Sequence, residues 1–367
     1  MKVAYFVHNI DDAAVLKRME LLRLGQVDIR LIGFKRFSQT RAAPANDDTI
    51  VLGRTYDGKF ALRILSVIRS LVFPIKIVSA VKGADSILCR NLEMLALGYA
   101  TLRLSGKKIP LNYECLDIHK KLLGSGRAAK MLRSVERYLM ARCNSVITSS
   151  PGFVRNYFVA VQHFDGRVCL IENKVLPQSA PNTVPAKLSE PPWVIGWFGI
   201  IRCRKSLVIL QKLTAALPMV RVVIAGRVAA QEISDFLELV EASPSISFIG
   251  SYEPSELARI YGQAHFVWAI DYYEEGDNST WLLPNRLYDS LAFGCVPIAL
   301  GDVETGRWLK ARSAGVVVMS PLDELIPTLS AMSESTYREL KGYTEGVERG
   351  DVFHSDLSVK QLVGAVA

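Results

Sequence analysis

The residues 283–300 read LPNRLYDSLAFGCVPIAL and bring a proline, a cation and a carboxylate within two turns of one another. The spacing predicts a short helix with Pro284 at its first position, where the missing N–H is one the helix leaves unpaired anyway. Gly294 suits its stop. The free backbone N–H groups and dipole at such a helix start favour a bound anion such as phosphate. Arg286 in the first turn, beside Asn285, opposes that dipole unless an anion lies between them. Asp289, about one turn on, suits the hydroxyls of a ribose diol. A nucleotide diphosphate fits this constellation. A plain amphipathic helix with Leu287 and Leu291 inward would satisfy the same pattern.

A second cluster stands at 196–207, GWFGIIRCRKSL. Gly199 would let the backbone approach a ligand closely. Arg202, Arg204 and Lys205 follow, positive charge placed where leaving-group charge would develop. A solvated turn would carry the same residues, but their place directly after an apolar strand favours a site. Asp271 closes the run HFVWAID and by the rule for parallel sheets lies at the ligand edge.

The stretch PNRLYDSLAFGCVPIA resembles the donor-site signature of bacterial GT-B glycosyltransferases of the family 4 type: proline, small polar residue, cation, leucine, then an acid and a closing A-x-G followed by an apolar run with a proline. The resemblance implies two Rossmann-like domains facing across a cleft, with the donor held by the second and the acceptor by the first. It implies Arg286 on the diphosphate, Asp289 on the ribose, and Lys205 opening its helix as the family's lysine does. Asp117, in YECLDIHKK with Glu114 and His119, resembles the aspartate or histidine that such enzymes hold at the cleft. It is the expected base and His119 its reserve; capping of the next segment is the other reading of Asp117. His8 and Asn9, after the first strand, read as acceptor contacts or as structural residues. The chain departs from the family at E-x7-E: Asp289 takes the second position, but Trp281 falls on the first. Glu274, Glu275 or Asp277 in DYYEEGDNST would have to replace that acid, or the stretch is a polar lid.

These residues need a frame of alternating strands and helices. KVAYFVH, VDIRLIGF, TIVLG, DSILCR, the IPLNYECLDIH region and SVITSS read as strands, with helices at 13–24, within 60–81, at 92–104 and at 129–143. The alternation restarts after the proline-rich break 176–193, with strands WVIGWFG, VRVVIAG, ISFIG, HFVWAID and CVPIAL. Helices are expected at 205–217, 230–242 and 254–264. This predicts an α/β protein of two doubly wound parallel sheets. The expected division is an acceptor domain at 1–178, a linker at 179–192, a donor domain at 193–350, and a helical tail at 351–367 packing back on the first domain.

At 367 residues, half of them apolar, the chain is long enough for two cores. Six scattered cysteines without a C-x-x-C pair suggest neither zinc nor a disulfide framework, and no D-x-D motif is present to hold a metal on a diphosphate. No metal or cofactor is expected. The N-terminus does not read as a signal peptide and no run reaches a membrane span, so a cytoplasmic protein is expected. Charge is uneven: residues 1–180 hold 28 Lys and Arg against 14 Asp and Glu, a net +14, and the remainder is −6. The segments 59–83, with Lys59, Arg63, Arg69, Lys76 and Lys82, and 119–142 mix cations with Leu, Ile and Phe. They suit an anionic membrane surface on the inner leaflet, or core helices with a basic outer face. Aromatics are not interleaved with this charge, which argues against nucleic acid. The expected activity is transfer of a sugar from a nucleotide-diphosphate sugar, UDP favoured over GDP, to a lipid-linked or saccharide acceptor. Exopolysaccharide assembly of the succinoglycan type is the finer resemblance. A nucleotide-sugar 2-epimerase and an inactive homologue that only binds are the alternatives.

Overall fold

The structure, a computed structural model, describes residues 1–36, 48–55, 75–181 and 189–367. The chain forms two compact units, Met1–Glu172 with Ser355–Ala367, and Asn173–His354.

Unit 1 is built on seven parallel strands, β1 (Lys2–Val7), β2 (Asp28–Arg36), β3 (Thr49–Thr55), β4 (Ser86–Arg90), β5 (Leu111–Cys115), β6 (Ser145–Thr148) and β7 (Val168–Leu170). Their order is β3-β2-β1-β4-β5-β6-β7. Val3 through Val7 are all fully buried, which explains why β1 is apolar without alternation: helices cover both faces. Helix α1 (Ala13–Leu24) starts where the Asp12 carboxylate accepts from Ala14 N–H at 2.9 Å. Helices α2 (Ile75–Ala80), α3 (Leu92–Ser105) and α4 (Arg127–Met140) follow. The C-terminal helix Asp356–Val366 belongs to this unit. A Cβ on Gly25 would come within 2.3 Å of Val363, so α1 and this helix meet closely. Its last carbonyls, which no further turn satisfies, accept from buried side chains of the sheet: Val366 O from Ser86 Oγ and from Asn112 Nδ2 at 3.2 Å, Ala365 O from Ser145 Oγ at 2.6 Å.

Unit 2 carries β8 (Trp193–Ile201), β9 (Val220–Val228), β10 (Ile246–Phe248), β11 (Phe266–Trp268), β12 (Val296–Leu300) and β13 (Val316–Val318), all parallel, in the order β10-β9-β8-β11-β12-β13. One face buries Trp193, Trp197, Trp268 and Tyr337 among aliphatic residues. The other buries Phe198, Tyr261, Tyr288 and Phe293. Helix α5 (Arg204–Ala216) leaves the β8 loop, and α6 (Asn285–Ala292) precedes β12.

Two expectations are corrected, and a third falls partly outside the described residues. Pro284 is the N-cap of α6, with ψ 152°, rather than its first helical residue. The helix expected over 230–242 is regular only at Phe236–Glu241; its N-cap Asp235 makes no capping bond and pairs with Arg204. Within 60–81 the described helix is Ile75–Ala80; residues 56–74, with Lys59, Arg63 and Arg69, lie outside the described residues, as do 182–188 of the break.

Candidate functional site

In an open parallel sheet, ligands bind outside the carboxyl ends of the strands, where the strand order reverses. In unit 2 that point lies between β8 and β11. Gly199 lies near the end of β8, Arg202 on the loop that leaves it and Arg204 and Lys205 in the first turn of α5, and the loop leaving β11 carries Asp271. Gly199 has φ +113°, and a Cβ there would meet nothing within 4 Å, so the space before it is open. Its register partner Gly226 has φ +135°, and a Cβ on it would lie 1.8 Å from the Gly199 carbonyl oxygen. Only glycine permits the two backbones to run this close.

The two loops are joined by charge. Arg202 stands 3.5 Å from the Asp271 carboxylate and 4.3 Å from the Tyr273 ring centroid. Asp271 also accepts from Tyr273 N–H at 2.8 Å. Lys205 Nζ lies 2.7 and 2.8 Å from the two Glu275 oxygens and 4.1 Å from the Tyr272 ring centroid. Both members of the Lys205–Glu275 pair are about half exposed, 51% and 56%. An ion pair so wet adds little stability and exchanges partners readily. Arg204 is not brought into this group: it pairs with Asp235 at the helix layer. Glu274 and Asp277 shape the loop, with Asp277 N–H donating to Glu274 O at 3.1 Å and Glu274 N–H donating to Ser279 Oγ at 3.0 Å.

Arg286 lies in the first turn of α6, whose N-cap makes no side-chain bond. Its Nη1 is buried and has no hydrogen-bond partner. An unmet buried donor costs about 1–3 kcal/mol, more when charged. Asp289, Tyr252 and Tyr261 share its surroundings. Burial, reinforced by the Asp289 carboxylate and opposed by Arg286, pushes the Tyr252 phenol up to about 12 and that of Tyr261 higher still. The Tyr261 hydroxyl is likewise buried without a partner. Asn285 is exposed beside them. An anion with several oxygens would answer the orphaned guanidinium and the uncapped helix together.

In unit 1 the strand order reverses between β1 and β4. His8 follows β1, and its Nδ1 lies 3.3 Å from Asn91 Nδ2 while its Nε2 lies 3.8 Å from an Asp12 oxygen. Asn9 is fully buried, and its Oδ1 accepts from Asp11 N–H at 3.3 Å, so its side chain serves the loop rather than an exposed contact. Glu114 is structural: fully buried, it accepts from Arg18 Nε at 2.5 Å, Arg90 Nε at 2.7 Å and the Tyr5 hydroxyl at 2.5 Å. Burial alone raises its pKa, but the Arg90 and Arg18 charges overcome that and hold it at about 2. Asp117 is exposed on the loop after β5. His119 caps the turn Lys120–Leu123, with Nδ1 accepting from Lys121 N–H at 3.2 Å. While that cap holds, the neutral ring carries its proton on Nε2 and is a donor rather than a base.

Two residues at this edge have no counterpart in the sequence reading. Asp11 is 5% exposed, and neither carboxylate oxygen has a hydrogen-bond partner. Asn91 has φ 72° and ψ 162°, a region ordinarily left to glycine, and caps α3 without a side-chain bond. Asp11 followed by Asp12 reads as an ordinary helix start, and the burial that distinguishes them is absent from the string. Gly226, closing VRVVIAG, was legible as a strand-end glycine.

Among the described residues no group of three His, Cys, Asp or Glu is placed to hold a metal ion, and no helix is long and apolar enough to cross a membrane. No family model matches the chain. Succinoglycan biosynthesis protein ExoL of Rhizobium meliloti (strain 1021) is 38% identical over 348 residues, covering 92% of this chain and 86% of that protein. Among solved structures, sucrose-phosphate synthase from Thermosynechococcus elongatus has a TM-score of 0.73 at 14% identity, covering 99% of this chain and 98% of its own. Anabaena HepE in complex with UDP has a TM-score of 0.70 at 13% identity, with the same coverage. At these identities the structural likenesses bear on the fold.

Proposed function

Because this chain belongs to the family of succinoglycan biosynthesis protein ExoL, and is a glycosyltransferase of the GT-B fold in exopolysaccharide synthesis, we propose that it moves a sugar from UDP-sugar to a lipid-linked saccharide. The observation that carries the donor half is the buried, unpartnered Nη1 of Arg286 at the uncapped start of α6. The UDP held by HepE, of the same fold, supports uridine over guanosine. In this reading Arg286 and the α6 N–H groups take the diphosphate, and Asp289 the ribose. Gly199 leaves room for the ligand, and Lys205 and Arg202 leave Glu275 and Asp271 for phosphate oxygens.

The acceptor hydroxyl oxygen bonds to the anomeric carbon as the bond from that carbon to the diphosphate breaks. The electron pair leaves with UDP, and the cations of unit 2 stabilise its growing charge. The hydroxyl proton passes to a carboxylate; Asp117, exposed after β5, and Asp11, at the reversal of strand order in unit 1, are the candidates. No resident metal is invoked.

A lipid-linked acceptor requires the enzyme to work at a membrane. Helix α4 supports this, exposing Met131, Val135 and Tyr138 at i, i+4 and i+7, to 64%, 43% and 51%. Arg127 and Lys130 flank the stripe, and the Arg142 guanidinium lies 3.3 Å from the Tyr138 ring centroid. Apolar side chains beside cations suit the anionic inner leaflet. The test is incubation with UDP-sugars carrying a labelled sugar and a lipid extract from exopolysaccharide-producing cells. Label is expected in the organic phase. Label that stays entirely water-soluble, or a donor epimerised without an acceptor, would overturn the reading.

A further inference from the structure

A groove of about 510 Å³ runs between α2 and the end of α3 in unit 1, within the range of ligand sites, roughly 300–1,000 Å³. Its apolar wall is Ile75, Val78 and Leu104, and Lys82 and Lys107 stand at its margin. Ile75 is 84% exposed and Leu104 56%. A folded chain leaves large aliphatic side chains together in water mainly where something else covers them. Among the described residues neither lysine has a carboxylate at ion-pairing distance, whereas Arg30, which donates to the Ala80 and Lys82 carbonyls, is engaged by Asp48. The groove therefore combines an open hydrocarbon slot with two uncompensated ammonium groups. Helix α3 also ties it to the α4 stripe, since Tyr99 meets Tyr138 edge-on at 6.2 Å.

The geometry points to a lipid site: the groove takes the hydrocarbon chain of a phosphate-bearing lipid, with Lys82 and Lys107 on its phosphate. The assignment rests on the lipid-linked acceptor proposed above; the groove lies at the amino ends of β4 and β5, so the saccharide between the lipid phosphate and the reacting hydroxyl spans the length of the strands. A protein partner would need carboxylates to meet these lysines and apolar side chains to fill the slot; a lipid phosphate brings both in one molecule.

The test titrates the full chain calorimetrically with decyl phosphate below its micellar concentration, with inorganic phosphate and decanol as separate arms. Saturable binding is expected for decyl phosphate alone. The paired variants Ile75→Ser with Leu104→Ser, and Lys82→Glu with Lys107→Glu, should each weaken it at least tenfold. Because Ile75 and Leu104 are exposed, melting curves of the variants should match wild type, which separates lost binding from lost fold. Wild-type binding in both variants, or equal binding of inorganic phosphate, would overturn the site. Failure of UDP-sugar to bind, with decyl phosphate still held, would remove the donor reading and leave the groove standing.

Discussion

Lys205 is held by the Glu275 carboxylate, which a nucleotide bound as proposed displaces. Glu275 occupies both lines of approach to the ammonium group at 2.7–2.8 Å, and half-exposed pairs of this kind are worth about 0.2–1 kcal/mol. Glu275→Gln keeps the shape and removes the competing charge, so UDP affinity measured by calorimetry should rise about two- to fivefold. Unchanged or weaker binding would separate Lys205 from the diphosphate. Asp11 permits an opposite kind of argument. A buried carboxylate without a donor destabilises the fold, and a neutral amide in its place costs less. Asp11→Asn should therefore leave the melting temperature of unit 1 equal or raise it by about 2–4 °C, while lowering sugar transfer at least tenfold and sparing UDP binding. A variant that melts earlier and still transfers would make Asp11 a structural residue.

At the scale of elements, what the sequence revealed depended on how much of the information was local. β1 and β8 were legible because strands covered on both faces are apolar throughout, and α1 because Asp12 caps it as such residues do. The three-residue β7 carries no periodicity and was not foreseen. The start of the 230–242 segment was misread; the Asp235 side chain makes no cap there and pairs with Arg204, thirty-one residues away. Lys205 and Asp271 could be named from their places after strands, and Arg286 from the helix start after Pro284, whereas Asp11 and Asn91 are distinguished only by burial and by a backbone angle. Glu114 read as part of a polar cluster and proves to be the joint of β1, β4, β5 and α1. Its pKa of about 2 when folded, against about 4.3 when unfolded, gives stability that is complete above the unfolded value. That stability, roughly 3 kcal/mol, is lost as pH falls toward 2. Unit 1 should accordingly lose its circular dichroism in that window before the tryptophan fluorescence changes, because all five tryptophans lie in unit 2. Simultaneous loss of both signals would deny Glu114 this role.

For the whole molecule, the division of labour follows from charge and topology together. The first 180 residues carry the +14 excess, the exposed α4 stripe and the lysine-edged groove, the features on which the proposed lipid contact rests. Unit 2 places its cations around the reversal of strand order and leaves one guanidinium nitrogen unmet. The central claim is that a nucleoside diphosphate meets it. The direct measurement is the melting temperature of unit 2, followed by tryptophan fluorescence, with UDP, GDP and their sugars added to wild type and to Arg286→Ala. One uridine nucleotide should raise the wild-type value, and the variant should lose most of that gain. An equal gain in both proteins, or none in wild type with any nucleotide, would contradict the account.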